Sequence, residues 1–131
     1  MYYFAYGLSL NRKQMKERCP DSQPKFIATL HHYQLVFVGW SRKWRGGIVS
    51  IRPFRGRKVL GAIYEVSEEC LKRLDKHEGN DFRRLNVIVN NEDGEPVEAV
   101  TYINTRQAEE NKPSPDYLAI IQQGYKEWRL I

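Results

Sequence analysis

The chain changes its hydrophobic pattern within residues 59–79, which read VLGAIYEVSEECLKRLDKHEG. Residues 59–66 are apolar almost throughout, which is typical of a strand buried on both faces. Ser67 then stands where a helix N-cap is expected, and two glutamates follow it in the first turn, where the helix dipole favours acidic side chains. The helix is predicted to end at Glu78 and the glycine after it. A buried strand followed directly by a helix predicts an α+β fold.

Further strands are predicted on both sides of this stretch. Runs rich in β-branched and aromatic residues occupy 2–6, 26–39, 46–51, 82–89 and 97–103. Pro53 is expected to end the third of these runs, because proline cannot donate to a strand ladder. His31 and His32 are expected to mark a bend. Asp93-Gly94 separates the last two runs, which is a strong hairpin signal.

Two more helices are predicted, one near each end of the chain. Residues 11–18 have the pattern of a short helix that Pro20 stops. Ser114 is the expected N-cap of a final helix, and Pro115 is expected at its first position. This helix carries Tyr117, Ile120, Ile121, Tyr125 and Trp128. Trp128 belongs either to the core or to an exposed aromatic cluster that pairs two chains. Residues 105–113 are expected to form a surface loop that moves.

Length and composition favour one folded domain, residues 1–131. Of its residues 41% are hydrophobic and 12% aromatic, which is ordinary for a globular protein. The apolar start, residues 1–7, is too short for a signal peptide and is predicted to be a strand. No apolar run approaches the roughly 20 residues of a membrane span. Cys19 and Cys70 have neither zinc-ligand spacing nor a disulfide pattern. We therefore expect a cytoplasmic protein without a disulfide. The protein is expected to be either a monomer or a homodimer.

The net charge of +5 is concentrated in residues 42–58. Seven cations stand there without an acid between them, and three apolar or aromatic side chains are interleaved. They are Arg42, Lys43, Arg45, Arg52, Arg55, Arg57 and Lys58, with Trp44, Ile51 and Phe54. Such a stretch is typical of a nucleic-acid surface, but a solvated rim of a barrel has the same composition and is the more common case. It would also attract an anionic substrate.

The sequence excludes several kinds of site. It has no Gly-x-Ser-x-Gly nucleophile turn and no glycine-rich phosphate loop. His31 and His32 are adjacent in a predicted strand and so point to opposite faces, and no third metal ligand is evident. The two cysteines are more typical of buried small residues than of nucleophiles. No metal site is therefore expected.

Two stretches remain as candidates for chemistry. Residues 6–10 end a strand at a glycine and lead towards a helix, so their backbone N–H groups can point at an anion. Glu78 stands at a helix C-terminus, where the dipole disfavours negative charge, and Gly79 follows as a cap. A carboxyl group buried there has a raised pKa, which suits proton transfer.

Four segments, in this order, resemble the γ-glutamylcyclotransferase family. They are Tyr3-Phe4-Ala5-Tyr6-Gly7, Trp44-Arg45-Gly46-Gly47-Ile48, Leu74-Asp75 with Glu78-Gly79, and Pro113-Ser114-Pro115-Asp116-Tyr117. The resemblance covers nearly the whole chain. It implies a small mixed β-barrel with two or three flanking helices, although strand patterns alone leave barrel closure open.

The resemblance also implies an activity and a site. Family members cyclise a γ-glutamyl group to 5-oxoproline and release an amine or amino acid, without a cofactor or metal. Glu78 matches the catalytic general acid/base. The expected substrate-binding residues are Tyr6, Gly7, Leu8, Ser9, Leu10, Phe82 and Tyr117. The expected partner is a small γ-glutamyl substrate.

Two positions depart from the family pattern. The loop usually runs Tyr-Gly-Ser-Asn-Leu, whereas this chain has Leu8 and Ser9 in the middle. Phe82 stands where many relatives have tyrosine, which removes a hydroxyl from the pocket. A binding module that has lost turnover is therefore the alternative function, and a nucleic-acid-binding barrel that uses residues 42–58 is a third.

Overall fold

The computed structural model describes residues 1–106 and 108–131. Its elements in chain order are β1 (Tyr2–Ala5), a short 3-10 helix (Leu8–Leu10), α1 (Arg12–Arg18), β2 (Gln23–Ser41), β3 (Gly46–Glu65), α2 (Glu68–Glu78), β4 (Phe82–Asn90), β5 (Pro96–Asn104) and α3 (Pro115–Glu127). The strands close into a barrel in the order β1-β3-β2-β4-β5. β1 and β5 are parallel, and the other pairs are antiparallel. The α+β fold and the mixed β-barrel expected from the resemblance are confirmed.

Local signals at the ends of the elements behave as predicted. The Ser67 side chain accepts a hydrogen bond from the Cys70 N–H and caps α2. The Ser114 side chain caps α3 in the same way, with Pro115 at the first helical position. Residues 91–94 form the turn between β4 and β5, and the Gly94 N–H donates to the Asn91 carbonyl at 2.9 Å. Each signal acts within a few residues, so tertiary contacts have little chance to override it.

The expectation that Pro53 ends a strand is wrong. Residues 46–51 and 59–66 are predicted as two strands, but residues 46–65 form one strand of 20 residues. Pro53 pairs with Tyr33, and Lys58 pairs with His31, so four residues of β3 lie opposite the single residue His32. This bulge leaves the ladder open next to the proline, which is where a strand tolerates one. His32 has a φ of 66°, so the expected bend at the histidine pair is present.

Two apolar clusters hold the barrel and its helices. One fills the barrel and includes Phe4, Ile63 and Val89. The other joins the barrel wall to the helices and contains Leu10, Met15, Leu74 and Trp128. Trp128 is 7% exposed, and its indole N–H donates to the Leu10 carbonyl at 2.9 Å. Trp128 is therefore a core residue, not part of an exposed aromatic cluster.

The expectation of no disulfide is also wrong. Cys19 caps the end of α1, Cys70 lies in the first turn of α2, and the two are disulfide-bonded with their Cα atoms 5.3 Å apart. Both are fully buried, as expected of small apolar residues. The partners are 51 residues apart in sequence, and only the packing of α1 against α2 brings them together. The spacing of the cysteines in the sequence therefore could not predict this bond.

Residues 108–112 run beside the end of β2. The Gly39 N–H donates to the Glu109 carbonyl, and the Asn111 N–H donates to the Phe37 carbonyl. The moving surface loop expected at 105–113 includes Gln107, which lies outside the described residues, so that expectation remains a prediction. Among the described residues, no helix has the length and apolar character that a membrane crossing requires.

Candidate active site

A cavity of about 500 Å³ opens at one end of the barrel. Its wall combines the segment after β1, the C-terminal end of α2, the turn between β2 and β3, and the first turn of α3. Seven residues that sequence analysis singled out line it: Tyr6, Gly7, Leu8, Ser9, Glu78, Phe82 and Tyr117. Leu10 does not: it is fully buried in the cluster that joins the helices to the barrel. A second cavity of about 470 Å³ adjoins the first and shares four lining residues, among them Asn104 and Arg106.

Glu78 is the last residue of α2 and is half-buried in the cavity wall. Gly79 ends the helix with its N–H on the Asp75 carbonyl and a φ of 86°, which an L-residue adopts only with strain. Burial raises the pKa of Glu78 from 4.5 to about 7, although the charge of Arg18 lowers it in part. A carboxyl group with this pKa accepts and releases a proton near neutral pH.

An ion-pair network fixes the end of α2 against the barrel. Arg84 on β4 donates two parallel hydrogen bonds to Asp75, at 3.0 and 2.8 Å, and further bonds to Glu68. The Tyr102 hydroxyl donates to the same aspartate at 2.6 Å. Because Asp75 lies one helical turn before Glu78, the network sets where the Glu78 carboxyl group lies. The hydrogen bonds from Arg84 hold the pKa of Asp75 below its usual value.

The segment after β1 lines the cavity with Gly7, Leu8 and Ser9. Gly7 precedes the short 3-10 helix, and no side chain caps it. The Leu10 N–H is engaged by the Gly7 carbonyl at 3.0 Å, so the donors left for a ligand come from residues 7–9. A side chain at Gly7 would overlap Val49, which explains the glycine.

Two tyrosines have hydroxyl groups that the backbone holds in place. The Tyr6 hydroxyl donates to the Tyr102 carbonyl at 2.7 Å. The Tyr117 hydroxyl accepts from the Val49 N–H at 2.9 Å, so its own proton stays available to a ligand. Burial raises the pKa of both tyrosines, and the nearby Glu78 charge raises it further. Both side chains are therefore neutral and oriented at physiological pH.

Sequence analysis did not name every residue of the cavity wall as a site residue, and Tyr3, Arg18 and Trp44 are among those it missed. The Trp44 ring packs on Tyr117 with centroids 5.2 Å apart. Its place in a family-like segment could have identified it as a site residue. Tyr3 lies on β1, and burial raises its pKa. Arg18 is a basic residue at a helix end, where the sequence gives no reason to single it out.

The structure divides the basic stretch 42–58 in two. Lys43 and Trp44 lie in the turn between β2 and β3 and line the cavity. Residues 52–58 are exposed and include the bulge of β3 at residues 54–57, where the Arg57 guanidinium lies 5.4 Å from the centre of the Phe54 ring. Only the first part therefore belongs to the cavity wall. Within residues 1–106 and 108–131, no three His, Cys, Asp or Glu side chains come together as a metal site would need.

Comparison with known proteins gives one consistent answer. Residues 3–128 match the family described as gamma-glutamyl cyclotransferase, AIG2-like. The gamma-glutamylcyclotransferases of Bos taurus and Homo sapiens are each 31% identical over 132 residues, which is 95% of this chain and 70% of each relative. A solved structure titled gamma-glutamyl cyclotransferase superposes with a TM-score of 0.92 at 29% identity, covering 97% of this chain and 79% of the other.

Proposed function

The chain belongs to the γ-glutamyl cyclotransferase, AIG2-like family, and from this premise we propose that it cyclises a γ-glutamyl substrate with Glu78 as general acid and base. The observation that carries the assignment is the half-buried Glu78, whose pKa is raised to about 7 in a cavity that Gly7, Leu8 and Ser9 also line. The products are 5-oxoproline and an amine or amino acid.

The proton transfers follow from the position of one carboxyl group. Deprotonated Glu78 accepts a proton from the α-ammonium group of the substrate, and the freed amine attacks the γ-carbonyl carbon to form the new C–N bond. Protonated Glu78 then donates to the departing nitrogen as its bond to the same carbon breaks. The attacking nitrogen loses its second proton as it becomes the lactam N–H, and this proton passes through Glu78 to the released amine, which leaves as an ammonium group. The carboxyl group ends as it began, so each turnover is balanced without another reactant. A group with a pKa near 7 serves both steps.

The backbone N–H groups of residues 7–9 bind the substrate's α-carboxylate or the oxyanion that forms on the γ-carbonyl. A preorganised donor of this kind typically contributes about 2.7–4 kcal/mol in the transition state. Tyr6, Tyr117 and Phe82 shape the pocket around the γ-glutamyl group. Since the donors are backbone groups, Leu8 and Ser9 change the fit of the substrate and leave this contact in place.

The test is 5-oxoproline formation from γ-glutamyl amino acids and γ-glutamylamines by the wild type and by Glu78→Gln. Loss of general acid–base catalysis typically costs 10²–10⁴-fold in rate, and we expect a loss of about that size. Glu69→Gln, an exposed residue of the same helix, is the matched control and should keep full activity. Unchanged turnover in Glu78→Gln would remove Glu78 from the mechanism.

A wild-type protein that binds these compounds and forms no 5-oxoproline would instead indicate the binding module. The expected cytoplasmic location stays a prediction, and a disulfide such as Cys19–Cys70 is uncommon in that compartment. Whether the protein is a monomer or a homodimer also stays a prediction, which the hydrodynamic size of the purified protein would decide.

A further inference from the structure

Arg18 places a positive charge in the wall of the cavity. It is the last residue of α1, is half-buried and lines the cavity together with Glu78. Its charge lowers the pKa of Glu78, of Tyr117 and of His77. In the part of the chain that the structure describes, Arg18 forms none of the ion pairs. A partly buried cation of this kind is best stabilised by an anion that the ligand supplies.

The other charged side chains of the cavity are already engaged or exposed. Arg106 pairs with Asp81, with Nε and Oδ1 at 2.9 Å. The Lys43 ammonium group is exposed and lies 5.3 Å from the centre of the Trp44 ring. Glu78 lines the same cavity but must carry a proton in part of each turnover, so it cannot neutralise Arg18 throughout. Arg18 is therefore the cation best placed to bind a substrate anion.

The disulfide holds Arg18 in position. Cys19 follows Arg18 directly, and its bond to Cys70 joins the end of α1 to the helix that carries Glu78. The backbone from which the Arg18 side chain extends is thus tied to the helix of the reacting carboxyl group before a substrate arrives. Preorganisation of this kind reduces the entropy lost on binding.

We propose that Arg18 binds the carboxylate of the departing amino acid and so makes the enzyme prefer γ-glutamyl amino acids to γ-glutamylamines of the same shape. The inference rests on the proposed function, in which the N–H groups of residues 7–9 serve the γ-glutamyl half. A second carboxylate, on the leaving half, then needs its own partner. A guanidinium offers two parallel hydrogen bonds to a carboxylate, which a neutral amine substrate cannot use.

The experiment compares γ-glutamylalanine with γ-glutamylethylamine, which differ only in the carboxylate of the leaving group. We expect Arg18→Gln to lower kcat/KM about 10- to 100-fold for γ-glutamylalanine, mainly through KM, and to leave γ-glutamylethylamine unchanged. Arg18→Lys, which keeps the charge without the two parallel donors, should lose less. Lys16→Gln removes an exposed charge from the same helical turn and should change neither substrate.

An equal loss for both substrates, or none for either, would overturn the proposal. Should Arg18→Gln fail to fold, the Arg18→Lys variant decides by the same comparison of substrates. Calorimetric binding in the Glu78→Gln background separates this proposal from the proposed function, because that background needs no turnover. In that background, γ-glutamylalanine should bind more tightly than γ-glutamylethylamine, and Arg18→Gln should abolish the difference. This result supports the role of Arg18 even if no 5-oxoproline forms. Equal binding of both compounds overturns the proposal.

Discussion

Arg84 on β4 donates two parallel hydrogen bonds to Asp75 on α2, three residues before Glu78. The pair joins the helix that carries Glu78 to the barrel wall. Paired N–H···O bonds fix direction as well as distance. The relation therefore concerns catalysis as much as stability, since Glu78 has no comparable tie of its own among the described residues.

Arg84→Lys should lower both kcat and stability. Lysine keeps the charge but cannot make the two parallel bonds, so we expect unfolding to become easier by about 1–2 kcal/mol and kcat to fall about tenfold as Glu78 loses its fixed position. Urea unfolding and 5-oxoproline formation measure the two effects. Arg83→Lys, on the exposed neighbouring residue, is the matched control. A full kcat in Arg84→Lys would show that the network does not position Glu78.

Reduction of Cys19–Cys70 should destabilise the fold. The bond closes a loop of 51 residues, and in the chain-entropy account a loop of that length contributes about 4 kcal/mol. We expect a dithiol reductant to lower the Tm of the wild type by several degrees. The Cys19→Ala/Cys70→Ala variant should start at the lower Tm and not respond to the reductant. Equal responses of the two proteins would show that the effect comes from elsewhere.

Features that depend on a few neighbouring residues could be predicted from the sequence. Ser67 and Ser114 cap their helices, and the turn before Gly94 joins two strands, because each choice is made locally. Pro53 shows the limit of such reasoning: a bulge opposite His32 lets the strand continue through it, and that depends on the register with a distant strand.

The candidate site divides in the same way. Glu78, Tyr6 and Gly7 belong to segments with a family-like pattern, and they do line the cavity, as do Leu8 and Ser9. Arg18 enters the wall because α1 packs beside α2, and Leu10 leaves it because its side chain packs among the helices. Neither outcome follows from residue type or spacing, since both result from contacts between elements far apart in the chain.

The exposed bulge at residues 54–57 gives a prediction about association rate. Arg55 and Arg57 are exposed and lie outside the cavity wall, so their charges act on an anionic substrate only at a distance. Arg55→Ser/Arg57→Ser should lower kcat/KM a few-fold at low ionic strength and leave kcat unchanged. At 0.5 M salt the difference should vanish, because screening shortens the reach of each charge. A salt-independent loss would indicate a structural effect of the bulge.

Glu78 should make the protein less stable as the pH rises through its titration range. Its ordinary pKa is 4.5, and in the folded protein burial raises the pKa to about 7. Between these values the folded state binds a proton that the unfolded chain has released, so the free energy of unfolding falls with rising pH. The free energy of unfolding falls by at most about 3 kcal/mol in total, and the fall is complete above pH 7.

Glu78→Gln removes this titration and should therefore stabilise the folded protein at neutral and higher pH. Near pH 4.5 the variant and the wild type should be about equally stable, since both then carry a neutral side chain. At pH 8 the variant should be more stable by up to about 3 kcal/mol, although it has lost turnover. Urea unfolding at four pH values between 4.5 and 8 measures the difference, in which all other titrating groups cancel. A difference that stays constant across this range would mean that the carboxyl group titrates normally in the folded protein, and its assignment as a proton carrier at neutral pH would fail with it.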